Sequence, residues 1–135
     1  MGLTIPHLVR MVAQQKNHGD CAVASLAMLC AVDWPTAFAA FDNPRNLLRH
    51  GVRPWTPIKR AAMRLGVKTR VVTRVDLERD TGILYVSDIE GPDGHAVFLW
   101  AGRIVEGDGS LWLFVSDYLR AHRYEAHSLL RRLDG

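Results

Sequence analysis

Ten consecutive residues, Cys21 to Cys30 (CAVASLAMLC), carry no charge and only one hydroxyl, Ser25. Ala, Leu and Met favour a helix here, and Asp20 is a good N-cap for it. Val23, Ala24, Leu26, Ala27, Met28 and Leu29 leave such a helix almost no polar face, so it has to be buried all round. Whatever fold the chain adopts must therefore wrap this segment. The spacing predicts a helix running from Asp20 to near Val32. Cys21 stands at its first position, where unpaired backbone N–H groups and the positive end of the helix dipole stabilise a thiolate. Cys21 is thus a candidate nucleophile, set against the plainer reading of a buried, inert thiol.

With 135 residues, 48% of them hydrophobic and 23% charged, the chain is expected to form one soluble domain with a real core, spanning 1–135. Net charge is +3 and the basic residues are scattered, including Arg45, Arg49, Arg53, Lys59 and Arg60. That is not the concentrated footprint of a nucleic-acid binder, and Trp55 is the only aromatic among them. The two cysteines sit nine residues apart, roughly 13 Å along one helix, too far for a disulfide. Two thiols suit a reducing compartment, and the N-terminus shows no signal-peptide core or membrane span, so a cytoplasmic protein is expected.

Residues 1–13 read as a short strand or turn, and 14–20 as a polar loop. After the first helix, Asp33-Trp34-Pro35 starts a second, with Ala37, Phe38, Ala40 and Phe41 as its apolar face. Residues 46–51 read as a short turn or helical piece. Thr56-Pro57 opens a third helix that Gly66 closes, with Ile58, Ala61, Ala62 and Leu65 inward and Lys59, Arg60 and Arg64 on a solvated face. From Val67 the character changes to strands: 67–75, 82–89, 95–100, 103–108 and 111–115. Ser116-Asp117 caps a last helix through Arg123, and the tail to Gly135 is a further strand or a loose end. Helices first and an antiparallel sheet second define an α+β class.

A catalytic thiol needs a base and a group to orient that base. Of six histidines, His95 alone opens a strand directly after a Gly-rich turn (Gly91-Pro92-Asp93-Gly94). If Ala101-Gly102 is a two-residue hairpin turn, Trp100 pairs with Arg103, Val97 with Glu106 and His95 with Asp108. Asp108 then orients His95, and Glu106 lies on the same face one diagonal away. A three-residue turn would put no carboxylate opposite His95. Gln15, six residues before Cys21, could donate with the Cys21 N–H to a developing oxyanion. A metal site built from His18, Cys21, His95 and Asp20 or Asp93 lacks a second Cys/His pair, and no metal or cofactor is expected.

These features together resemble papain-like cysteine peptidases, and within them the C39 and C39-like peptidase domains. GDCAVASLAML is similar to that family's DCG-x-A-x-L-A-M helix, LGVKTR to its following helix and strand, and GHAVFLW to its H-F-V-V-V strand. The resemblance spans Gln15 to Asp108. It implies a papain-like fold, with the Cys helix central and packed on an antiparallel sheet. It further implies a peptidase or amidase acting on a peptide or protein through Cys21 as nucleophile, His95 as base and Gln15 as oxyanion donor. Ala22 stands where the family has Gly. For the third member, an ungapped count points to Glu106, whereas the hairpin pairing points to Asp108. The alternative implied by these departures is a catalytically idle papain-like domain that serves as a protein-binding module or inhibitor.

Overall fold

Helix α1 (Asp20–Cys30) is the centre that its composition demands: every residue from Ala22 to Cys30 is buried, and Val23, Ala24, Leu26 and Ala27 are wholly inaccessible. The computed structural model describes residues 20–42, 55–107 and 109–133. The helix stops at Cys30, two residues before the expected end. Ala31 turns left-handed (φ 58°), which lets the Val32 N–H reach back to the Ala27 carbonyl at 3.0 Å. Arg132 Nη1 donates to the Leu29 carbonyl at 3.1 Å and satisfies another acceptor of the last turn.

Two short helices cover α1. In α2 (Trp34–Ala40) the Asp33 side chain caps the Thr36 N–H at 2.9 Å, and Trp34 stacks on Phe38 with centroids 4.9 Å apart. Helix α3 (Thr56–Arg64) has Trp55 rather than Thr56 at its N-cap, and it buries Ile58, Ala61 and Ala62. Its basic face is not simply solvated: Arg64 and Arg60 both pair with Asp42, and Arg64 Nη1 also donates to the Ala40 carbonyl at 2.7 Å, tying α3 to the end of α2.

The remaining elements are β1 (Thr69–Val72), β2 (Thr81–Asp88), β3 (Gly94–Trp100), β4 (Arg103–Val105), β5 (Leu111–Trp112), α4 (Val115–His122) and β6 (Tyr124–Arg132). They form a six-stranded sheet of order β1-β6-β2-β3-β4-β5 in which every neighbour is antiparallel. With four helices among the described residues, the fold is α+β. One sheet face, with Ile83, Ala96, Phe98 and Leu130, packs on α1 to α3. The other, with Leu84, Val86, Val97 and Leu99, packs on Val115 and Tyr118 of α4.

Further differences lie in the C-terminal third. The fifth strand is only two residues long, because Val115 is already helical, its side chain buried and its N–H bonded to the Gly102 carbonyl at 2.8 Å. The last helix accordingly starts behind Phe114, with no side-chain cap from Ser116 or Asp117. The tail, which the sequence left open, is an interior strand: β6 lies between β1 and β2, and Leu129 and Leu130 are buried on opposite faces. The expected elements at 1–13 and 46–51 lie outside the described residues. No single helix among those described is long and apolar enough to cross a membrane.

Candidate active site

The hairpin turn is the one expected. Ala101 and Gly102 both have positive φ (41° and 87°), which gives a two-residue turn, and Trp100 pairs with Arg103, Leu99 with Ile104 and Phe98 with Val105. There the ladder ends. The Glu106 N–H bonds to the Ser110 carbonyl and the Gly109 N–H to the Glu106 carbonyl, each at 2.9 Å, so the chain folds back into β5 rather than continuing beside β3. Glu106 is thereby left at the end of β4 with its carboxylate toward His95.

His95 is the second residue of β3, next to Gly94. The Tyr85 ring lies so close over Gly94 that any Cβ there would run into it. This close approach fixes the backbone on which His95 is carried. His95 Nε2–H donates to Glu106 Oε1 at 3.1 Å, and the His95 and Glu106 side chains are 30% and 19% exposed. Nδ1 is left for Cys21, whose thiol hydrogen-bonds the His95 side chain. Cys21 and His95 come from opposite sides of the sheet and meet at its rim: Cys21 packs with the α1 core, whereas His95 shares the other face with Val97 and Leu99.

Burial alone would push the Cys21 thiol up. The hydrogen bond and charge of His95, helped by the backbone amides of Ala96 and Ala22, outweigh it, and the thiol is held below its ordinary value. Burial likewise opposes charging His95, but its hydrogen bonds to Cys21 and Glu106 and their negative charges prevail, raising it well above the usual imidazole value. Both shifts favour one state, a thiolate beside an imidazolium. Cys30 is the internal contrast: burial pushes its thiol up to about 11, with only Arg132 opposing. Position on the same apolar helix therefore does not by itself activate a thiol.

The relay reaches further than the sequence indicated. Tyr118, fully buried on α4, points its hydroxyl toward Glu106 Oε1 at 3.5 Å. Beside it a string of rings runs outward from the histidine: Tyr124 lies 6.3 Å from His95, His122 stacks on Tyr124 at 5.5 Å, and Trp112 stands 5.5 Å from His122. The available signal was the Tyr118/His122 pair at helical i, i+4 spacing, followed at once by Tyr124.

Of the residues the sequence singled out, Cys21, His95 and Glu106 come together. Gln15, His18 and Asp108 lie outside the described residues. Ala22, where the resembling family has Gly, is buried in the core cluster around α1. Among the described residues no group of three or more His, Cys, Asp or Glu side chains could hold a metal ion. The arrangement can supply a nucleophile, a proton shuttle and an orienting carboxylate. No protein-family model matches the chain, and no curated protein matches it significantly.

Proposed function

We propose that this protein is a cysteine-dependent hydrolase of peptidase or amidase type, with a papain-like arrangement resembling the C39-like peptidase domains. The observation that carries the reading is the continuous relay from Cys21 through His95 to Glu106, with a lowered thiol and a raised imidazole. The Cys21 thiolate attacks the carbonyl carbon of a peptide or related acyl compound, forming a C–S bond as the carbonyl electrons move to oxygen. The backbone N–H of Cys21, in the first turn of α1, is the proposed first donor to that oxyanion, and the Gln15 side chain the proposed second. As the intermediate collapses, the C–N bond breaks and the His95 Nδ1 proton goes to the departing amine. His95 then takes a proton from water, which attacks the thioester and releases the acid and the thiolate. Glu106 holds the ring in the tautomer that presents Nδ1 to sulfur and stabilises its positive charge. The third member is thus read as Glu106. Cys21 and Cys30, both thiols, support a reducing, cytoplasmic setting.

The test is direct detection of the acyl-enzyme. Intact mass spectrometry after brief mixing with p-nitrophenyl acetate is expected to show one acetyl group on Cys21, absent from Cys21→Ala and reduced in His95→Ala. A protein acetylated equally with and without Cys21 contradicts the hydrolase and leaves the binding-module alternative.

A further inference from the structure

In the proposed reaction, on which this inference rests, His95 hands its proton to the departing group. The leaving atom must therefore sit at His95, and whatever it carries extends beyond His95, away from Cys21. What lies there is set by the sheet. His95 pairs with Val86, and Val86 with Ala126. Tyr124, two residues along β6 from Ala126, therefore shares the face on which His95 sits, opposite the face covered by α1.

On that face the rings form a wall. Tyr124 is 6.3 Å from His95 and tilted 31° to it; His122 stacks on Tyr124 at 5.5 Å with planes only 14° apart; Trp112 meets His122 edge-on at 5.5 Å. His122 is exposed and Tyr124 and Trp112 are half-buried, so each residue keeps some contact with solvent. The rings are also locked. His122 Nδ1–H donates to the Tyr118 carbonyl at 3.1 Å, and the buried Tyr118 ring backs His122 at 4.5 Å and Tyr124 at 6.0 Å. Nearby charge is already neutralised in part, since Glu90 pairs with Arg123 at 2.5 Å. Burial raises the Tyr124 phenol, with the charges of Glu106 and Asp88 adding to it, which keeps this ring neutral. Fixed and partly exposed rings suit a planar apolar group and lose little freedom when they bind one.

We propose that the Tyr124–His122–Trp112 wall is a leaving-group subsite, and that the preferred substrates carry an aromatic or similarly planar apolar group on the amine side of the scissile bond. The wall selects among substrates by stacking and takes no part in the proton transfers.

The test compares three thiol reagents on the full chain at pH 6: iodoacetamide, N-propyl iodoacetamide and N-benzyl iodoacetamide, with glutathione as the reference thiol. Plain iodoacetamide reports the dyad, and the benzyl-to-propyl rate ratio reports the wall. In the wild type that ratio is expected to exceed the glutathione ratio by roughly three- to tenfold. It should survive in Tyr124→Phe, which keeps the ring, and fall to the glutathione value in Tyr124→Ala and in His122→Ala, with the rate of plain iodoacetamide showing that each variant keeps its dyad. Fast reaction with plain iodoacetamide but a ratio no higher than that of glutathione overturns the subsite alone. So does a high ratio that persists in both alanine variants. Slow reaction of Cys21 with plain iodoacetamide overturns the hydrolase reading, and the subsite with it.

Discussion

His95 Nε2 lies 3.1 Å from Glu106 Oε1, and the two residues are joined across the open end of a hairpin whose turn is at Ala101 and Gly102. Strand β4 leaves the ladder after Val105, one residue before Glu106, so the carboxylate swings toward the ring instead of staying in the pleat. The consequence is electrostatic. A negative charge at this distance favours imidazolium, and imidazolium in turn favours thiolate at Cys21. Replacing Glu106 by Gln keeps a polar group in reach but removes the charge. We expect His95 in Glu106→Gln to lose its proton at a pH lower by roughly one to three units, read from its ring proton shifts by NMR. Tyr118→Phe should move that titration less, because the Tyr118 hydroxyl is uncharged and 3.5 Å from Oε1.

Because the Tyr85 ring occupies the space a Cβ would need, Gly94→Ala forces the ring or the start of β3 to move. The expected cost is about 2 kcal/mol in urea unfolding, and the reactivity of Cys21 should fall as His95 is displaced. Adding Tyr85→Leu should recover part of both. Unchanged stability in Gly94→Ala alone contradicts the close approach.

The hairpin turn offers a substitution in the opposite direction. Ala101 adopts a left-handed conformation (φ 41°) that a side chain other than Asn or Gly tolerates poorly. Ala101→Asn converts the turn to Asn-Gly, the preferred pair for this geometry, and should raise stability by about 1 kcal/mol by urea unfolding. The turn is at the far end of β3 from His95, so the pH profile of Cys21 alkylation should not move.

Much of this arrangement was legible in the sequence where a local rule applied. An uncharged helical segment could only be central, and of the two turn lengths open to Ala-Gly the chain takes the two-residue one. The carboxylate was not decided that way. Extending the ladder straight past Val105 placed Asp108 opposite His95, whereas Glu106 makes the contact because a backbone turn to Ser110 ends β4 early. That turn has no sequence signature as strong as its consequence. Strand β6 was obscured for a different reason. Leu129 and Leu130 are buried consecutively on two faces, and the pairing slips at His127, with Tyr85 opposite Ser128 but Val86 opposite Ala126. No period-2 pattern survives both. With β6 left open, Tyr124 could not be placed beside the histidine.

If His95 makes a thiolate of Cys21, alkylation by iodoacetamide across pH, followed by peptide mapping, reads it out. A lowered Cys21 thiol is already ionised below the ordinary value of about 8.5, and its reactivity falls only as pH drops through the lowered value. The raised His95 keeps its proton up to about 10, so the reactive ion pair should persist as a plateau through neutral pH. Cys30, pushed up to about 11, should stay a thiol throughout. In His95→Ala burial is left opposed only by backbone amides, and the Cys21 profile should move above 8.5. Rapid labelling of Cys21 at pH 6 that is lost in His95→Ala is the predicted result; labelling no faster than that of Cys30, or indifferent to His95, contradicts it.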